Sequence, residues 1–446
     1  MIGASAPRAL PLVLLPLIIT AARGPAPRDR APAGRAGPPD TLTVAYEVSG
    51  VRVVQRLSTT SDVAAARLYL LGGTRQITER TAGVEALLLA AAAYGTAQFP
   101  GDEARRALDR TGAIVTIEPE LDWTVLGFAG LVADFDAAWR PLMDRLVHPT
   151  LSNESIARAR ARLLTQARGR YAEPNEELHA LAMRSLFHDH PYELDPGGTE
   201  TSLTTLTADD VRSYARDQLV TSRMLLAIVG NVTRAHVESL VTATVGQLPR
   251  GDYHWVLPPP APSGHAHWFV EQRPIPTVYM LGLFAGPPPT SRDYWAFRVA
   301  TALLSSGLTV AIRSERSLSY AAYAPYLELA IPVGGAYVST PKPDKVLPLM
   351  IEQVEELERR PFSPFALRRF VDNFSFEYIA RNATADGQAD FLARAELYLG
   401  SYKSGTEFVK RLQGVSSLEI QNAAMRYMTA IQYAYLGDTS RMKGHW

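Results

Sequence analysis

The chain contains no cysteine. That excludes a disulfide framework, a thiol nucleophile and any zinc site built on thiolates. With no covalent staple, the fold rests on burial of apolar surface, which 446 residues can supply. Net charge is missing as well: 45 Lys and Arg balance 45 Asp and Glu. A nucleic-acid or polybasic membrane partner would call for a basic excess, so neither is expected. No Ser-His-Asp arrangement, phosphate-binding loop or dinucleotide fingerprint stands in the sequence. The apolar run at residues 9–22 is too short to span a bilayer comfortably and is broken by Pro11 and Pro16.

That run follows a single positive charge, Arg8, and ends in Thr20-Ala21-Ala22, small residues suited to cleavage. It reads as a secretory signal peptide over residues 1–22, with a simple N-terminal anchor as the alternative. The expected location is secreted or periplasmic, with no stable membrane span after cleavage. A lipid anchor is excluded because no cysteine is present to carry it. Residues 23–40, rich in Pro, Gly, Ala and Arg, read as a disordered spacer. A second Pro-rich break at 251–264 reads as a linker between two folded segments, 41–250 and 265–446. An apolar share of 47% and a charged share of 20% fit a globular protein.

The two segments echo each other. ARLYLLGG is a strand-like run followed by polar turn residues and a helix that ends near Tyr94-Gly95. TVYMLGLFAG is a similar run, followed by PPPTSRDY and the helix AFRVATALLSSG. Late in each segment a helix leads into an apolar strand that stops at Gly plus Asn or Asp: LLAIVGNV and AYLGDT. An internal duplication is the economical explanation. TLTVAYEV and VRVVQRL flank Ser49-Gly50 as a hairpin, and AIVTIEP with DWTVLGFAGL forms a second pair. Helices fall on AAWRPLMDRLVHP and NESIARARARLLTQARGRY, the latter capped by Ser152 or Asn153. The expected class is α+β: two homologous domains, each a largely antiparallel sheet with helices on one face.

In this order the pieces resemble a known family. A strand ending in Gly72-Gly73 leads to a helix opening at Gly83, then to Gly95-Thr96 and Phe99-Pro100. Asp122-Trp123-Thr124, His148-Pro149, His190-Pro191-Tyr192 and Val229-Gly230-Asn231 follow. Over residues 41 to about 440 the chain resembles the pitrilysin, insulinase and mitochondrial processing peptidase family. These are zinc metallopeptidases with the inverted motif H-x-x-E-H. The resemblance implies a processing-peptidase-like fold.

Laid on Gly83-Val84-Glu85, the family's two His positions fall on Ala86 and Ala90, the general-base Glu on Leu89 and the third ligand on Gln166. Catalytic zinc needs about three protein donors, mostly imidazole or carboxylate. Residues i and i+4 share a helix face, and here that face offers methyl groups. The nine His do not rescue the site: His188 and His190, like His265 and His267, sit two apart with no carboxylate at metal-site spacing. His190 reads as part of a structural turn. No metal is expected in this chain.

The family's second half supplies an Arg and a Tyr seven apart. AIRSERSLSY places Arg313 and Tyr320 on those positions. The resemblance implies that they bind substrate backbone beside a zinc site carried by a partner. Ser314 stands for the usual Glu, and Ser317 for a Gly that often serves positive φ. The expected partners are a homologous zinc-bearing subunit and an unfolded peptide substrate. A structural, assembly or peptide-binding scaffold is the alternative. The strand near 113–117 reads either as an edge that pairs with a peptide or as an inner strand. Arg158, Arg160 and Arg162 read either as a solvated face or as a basic chamber wall.

Overall fold

The two strand-like runs of the repeat each become the middle of a separate sheet. The computed structural model describes residues 42–442, apart from Ser263 and Arg360. The signal peptide and spacer expected over 1–40 lie outside the described residues. The strands are β1 (Thr43–Val48), β2 (Val51–Leu57), β3 (Val63–Leu71), β4 (Ile114–Pro119), β5 (Trp123–Leu131), β6 (Met224–Gly230), β7 (His267–Gln272), β8 (Val278–Ala285), β9 (Ala321–Tyr323), β10 (Tyr326–Leu327), β11 (Val333–Thr340) and β12 (Gln432–Gly437).

The first sheet runs β1-β2-β6-β3-β5-β4. The second runs β10-β11-β8-β12-β7, with β9 also on β11. In each, a late strand lies parallel to an early one, β6 beside β2 and β12 beside β7, and the other pairs are antiparallel. The shared order β2-β6-β3-β5 and β7-β12-β8-β11 is the duplication expressed as topology. The helices before β6 and β12, Ala208–Gln218 and Ser417–Tyr427, open alike. Each starts with a capping box, Thr207 with Asp210 and Ser416 with Glu419. The α+β class with two sheets is borne out. Both hairpins form where expected, β1 with β2 and β4 with β5. Ser152, not Asn153, caps the helix Asn153–Ala172, accepting from the Ser155 N–H.

Along β3 alternate residues go to opposite faces, and both faces are buried. Ala64, Ala66, Leu68 and Leu70 meet the helices of their own half, including Val84–Ala92. Tyr69 and Leu71 meet a helix from the other half, Ala385–Tyr398, through Ala389, Leu392 and Ala393. The second sheet mirrors this. Its inner leucines, Leu281 and Leu283, pack on Leu178, Ala182 and Leu186 of the first half's helix Pro174–Leu186. Both helices carry apolar residues at i, i+3 or i+4, the spacing of one buried stripe. The halves therefore exchange a helix, each closing the far face of the other's sheet. Removing Leu178 and Leu186 from water contributes about 1.5–3 kcal/mol each.

Polar contacts follow the same exchange. Arg67 on β3 makes a two-oxygen contact with Asp386, and the Tyr69 hydroxyl donates to Asp390 at 2.9 Å. Arg394 binds Asp390 at 2.7 Å and the Glu328 carbonyl at 2.8 Å. Burial pushes the Asp390 carboxyl up, but Arg394 and Arg67 outweigh it, so it stays below the usual carboxylate range. From 251 to 262 the chain has neither helix nor strand. It is pinned by Trp255, whose indole N–H donates to the Leu397 carbonyl, and by the Pro259 carbonyl, bonded to His190. Among the described residues one helical stretch, 293–314, is long and apolar enough to cross a membrane, and most of it is buried in the second half.

Candidate functional site

The helix Val84–Ala92 starts at Gly83, which adopts φ 82°. A Cβ there would lie 2.6 Å from the Gly198 Cα, so both the conformation and the contact need glycine. All nine residues of the helix are buried. Ala86 and Ala90 present methyl groups, and Leu89 is 1% exposed in the core. The helix packs on Asn153–Ala172, where Gln166 is exposed.

The helix has one polar residue, Glu85, and it is engaged. Its Oε2 accepts from the Tyr214 hydroxyl at 2.8 Å and from Arg223 Nη2 at 3.1 Å. Arg223 also donates to the Leu71 and Gln218 carbonyls, at 2.8 and 2.9 Å. Glu85 is thus an anchor and not a spare base. Sequence reasoning passed over it, although a lone acid in an apolar helix is itself a sign of a buried partner.

Restoring the motif residues is not expected to restore the metal. The triple variant Ala86→His, Leu89→Glu, Ala90→His should take up no stoichiometric zinc, because Gln166 still offers no carboxylate. It should also lose on the order of 2–5 kcal/mol, since Leu89 gives up core packing and a carboxylate enters in its place. Metal analysis and urea unfolding check the two outcomes.

One expectation about histidines needs correcting. The chain brings His188, Asp189 and Glu193 together, with ligand atoms all within 4.8 Å of one another. Sequence spacing hid this because Asp189 adopts φ 58° and folds the turn back, its N–H donating to Glu193 at 2.8 Å. The three groups already pair among themselves on an exposed turn.

His190 plays the structural part expected. Its Nδ1 accepts from the Tyr192 N–H at 3.0 Å, which leaves Nε2–H to donate to the Pro259 carbonyl at 2.9 Å. Burial holds this imidazole below its usual range, against a smaller opposing effect of the Pro259 bond. The folded state therefore binds the proton less readily than the unfolded chain. This contribution to stability is full above the unfolded value near 6.5 and is lost as pH falls through the folded value. The unfolding midpoint of His190→Gln should accordingly depend less on pH than that of the wild type over the acidic side of neutrality, as a urea series would measure.

Two motif pieces far apart in sequence meet at Asp122, which is 1% exposed. Its Oδ1 accepts from Arg75 at 2.6 Å and from the Tyr192 hydroxyl at 2.6 Å. Its Oδ2 accepts from the Tyr398 hydroxyl at 2.8 Å and the Ala330 N–H at 2.9 Å. Tyr398 and Ala330 belong to the second half. Burial first, then the Asp122 charge, hold both phenols well above the ordinary tyrosine range, so they stay donors.

In the second half, the helix Asp293–Leu308 widens into a π turn, Thr309–Ser314. Such turns are frequent at functional sites. The segment carries Arg313, whose guanidinium carbon lies 4.4 Å from the centre of the Tyr320 ring. Tyr320 is 76% exposed. The loop between them is fixed at its Tyr320 end: the Leu318 carbonyl accepts from Thr340, and Ser319 Oγ donates to the Ser339 carbonyl at 2.7 Å. Ser317 adopts φ 49°, so the loop keeps a left-handed residue although serine stands where glycine is usual. The structure thus brings Arg313 and Tyr320 together. Among the described residues β4 pairs only with β5, so it is an edge of the first sheet there, with Ile114 74% exposed.

A duplicated two-sheet fold with methyl groups at positions 86 and 90 is what the resemblance to a metallopeptidase family without its ligands implies. Residues 205–374 match the family described as the peptidase M16 inactive domain. The beta subunit of the mitochondrial-processing peptidase of Blastocladiella emersonii is 24% identical over 262 residues, 58% of this chain and 55% of that one. A peptidase M16 inactive domain from Pseudomonas fluorescens superposes with a TM-score of 0.79 at 17% identity, over 89% of this chain and 98% of that one. A chain of Complex III2 from Candida albicans superposes with a TM-score of 0.76 at 15% identity, over 90% and 97%. The chain spans between about half and two thirds of the length of the curated relatives it matches. The resemblance to the pitrilysin, insulinase and processing peptidase family is borne out, in the form that lacks the zinc motif.

Proposed function

We propose that this chain is the zinc-less subunit of a heteromeric metallopeptidase, secreted or periplasmic, whose zinc lies in a homologous partner that cleaves unfolded peptides. The pairing of Arg313 with an exposed Tyr320, in a chain whose helix 84–92 offers only methyl groups at positions 86 and 90, carries this reading. A guanidinium and a phenol are both donors, suited to a carbonyl oxygen that gains charge in a transition state. The open edge of β4 suits an extended peptide, which would add as a strand. The relative from Blastocladiella is itself named as one subunit of a peptidase. Co-purification from the native source tests the reading. A partner of similar size should appear, the partner should hold the zinc, and peptidase activity should need both chains. Zinc-dependent activity in this chain alone would overturn it.

The fold match to a chain of Complex III2 favours a second reading, a structural or assembly subunit with no part in proteolysis. A stable complex that cleaves no unfolded peptide would select it.

A further inference from the structure

We infer that Arg145, Arg158 and Arg162 form a receptor for a carboxylate of the bound peptide, a deepening that rests on the peptide-binding reading above. Arg145 lies on the helix Phe135–Val147 and is 6% exposed. Its Nε is sealed from solvent with no acceptor, and among the described residues the side chain makes no hydrogen bond and no ion pair. A guanidinium withdrawn from water in this way is costly unless something negative joins it.

The charge acting on it from nearby is another cation. Burial, and then Arg162, pull its pKa down to about 10. Arg162 and Arg158 stand four apart on the helix Asn153–Ala172, hence on one face, and Gln166 continues that row a turn further on. Arg158 is held over the ring of Tyr94, 4.4 Å from its centre, just beyond the end of the 84–92 helix. Neither Arg158 nor Arg162 has a carboxylate within ion-pair distance among the described residues. Arg160, between them, is used differently, donating to the Leu206 carbonyl at 2.6 Å. Other buried arginines of the fold, Arg67, Arg223 and Arg298, each hold an acid. The row that ends at the lost ligand position is thus cationic, fork-shaped and unanswered. Guanidinium forks match carboxylates in shape and in charge.

Fluorescence anisotropy with short unstructured labelled peptides tests this. One pair differs by Glu against Gln in mid-sequence, and another by a free against an amidated C-terminus. The pair that separates identifies the source of the carboxylate. The acidic member should bind at least about tenfold tighter than its neutral twin. Arg162→Gln and Arg145→Met should each abolish that difference. Arg145→Met should melt no lower than the wild type, because it removes an unanswered buried charge. Equal binding of the twins, or a preference that survives both substitutions, overturns the receptor. Should no peptide bind, the peptide-binding reading fails, and acetate against chloride at equal ionic strength decides the receptor by itself. A rise in melting temperature with acetate that Arg145→Met removes keeps it, and no rise ends it.

Discussion

Asp122→Ala should cost on the order of 3–5 kcal/mol of unfolding free energy, the largest effect expected of a single substitution in this chain. Four donors converge on that carboxylate: Arg75, Tyr192, Tyr398 and the Ala330 N–H. Removing the acceptor strands a buried cation and three neutral donors together, and each unmet donor carries its own desolvation cost. Asp122→Asn should lose less, since it keeps one acceptor oxygen and the shape. Asp102→Ala is the control. Asp102 pairs with Arg105 at 3.2 Å on an open surface, and its loss should change stability by about 0.5 kcal/mol or less. Urea unfolding of the three variants, at one pH and salt, would measure the series. A loss below about 1 kcal/mol in Asp122→Ala would show that water enters and replaces the acceptor.

Arg313→Ala should lower turnover by about a hundredfold in the mixture with the zinc-bearing partner, with little change in KM. The reason is that a donor aimed at developing charge acts on the transition state and not on the bound substrate. Arg313→Lys should recover only part of the loss. It keeps the charge but neither the fork nor the stacking over Tyr320. Steady-state kinetics of the mixture would decide this. Unchanged turnover in Arg313→Ala would remove the assigned role while leaving the pairing itself intact.

Features set by local pattern could be read from the sequence. The β1–β2 hairpin announced itself around Ser49-Gly50, and a cap at Ser152 or Asn153 through their place before a helix. That Ala86 and Ala90 share one side of the 84–92 helix was legible because spacing on a helix fixes which residues share a face. Features made by chain segments meeting over long distances could not be read. Nothing near Leu178 says that its stripe lands on Leu281 and Leu283, and nothing near Asp122 announces Tyr398. The cluster at His188, Asp189 and Glu193 escaped for a different reason. Its assembly depends on a left-handed residue at 189, a conformation that linear spacing does not reveal.

The helix exchange bears on how far each half depends on the other. The second sheet, next to the Arg313 loop, is roofed by Pro174–Leu186 from the first half, and Tyr337 on β11 donates to Asn175 at the start of that roof at 2.6 Å. Deleting the first half would strip that roof and expose the second sheet's inner leucines to water. The second half cannot travel alone, because the first half supplies the layer that closes its sheet. A cut in the 251–262 stretch should for the same reason yield two fragments that stay together, each holding the other's missing layer.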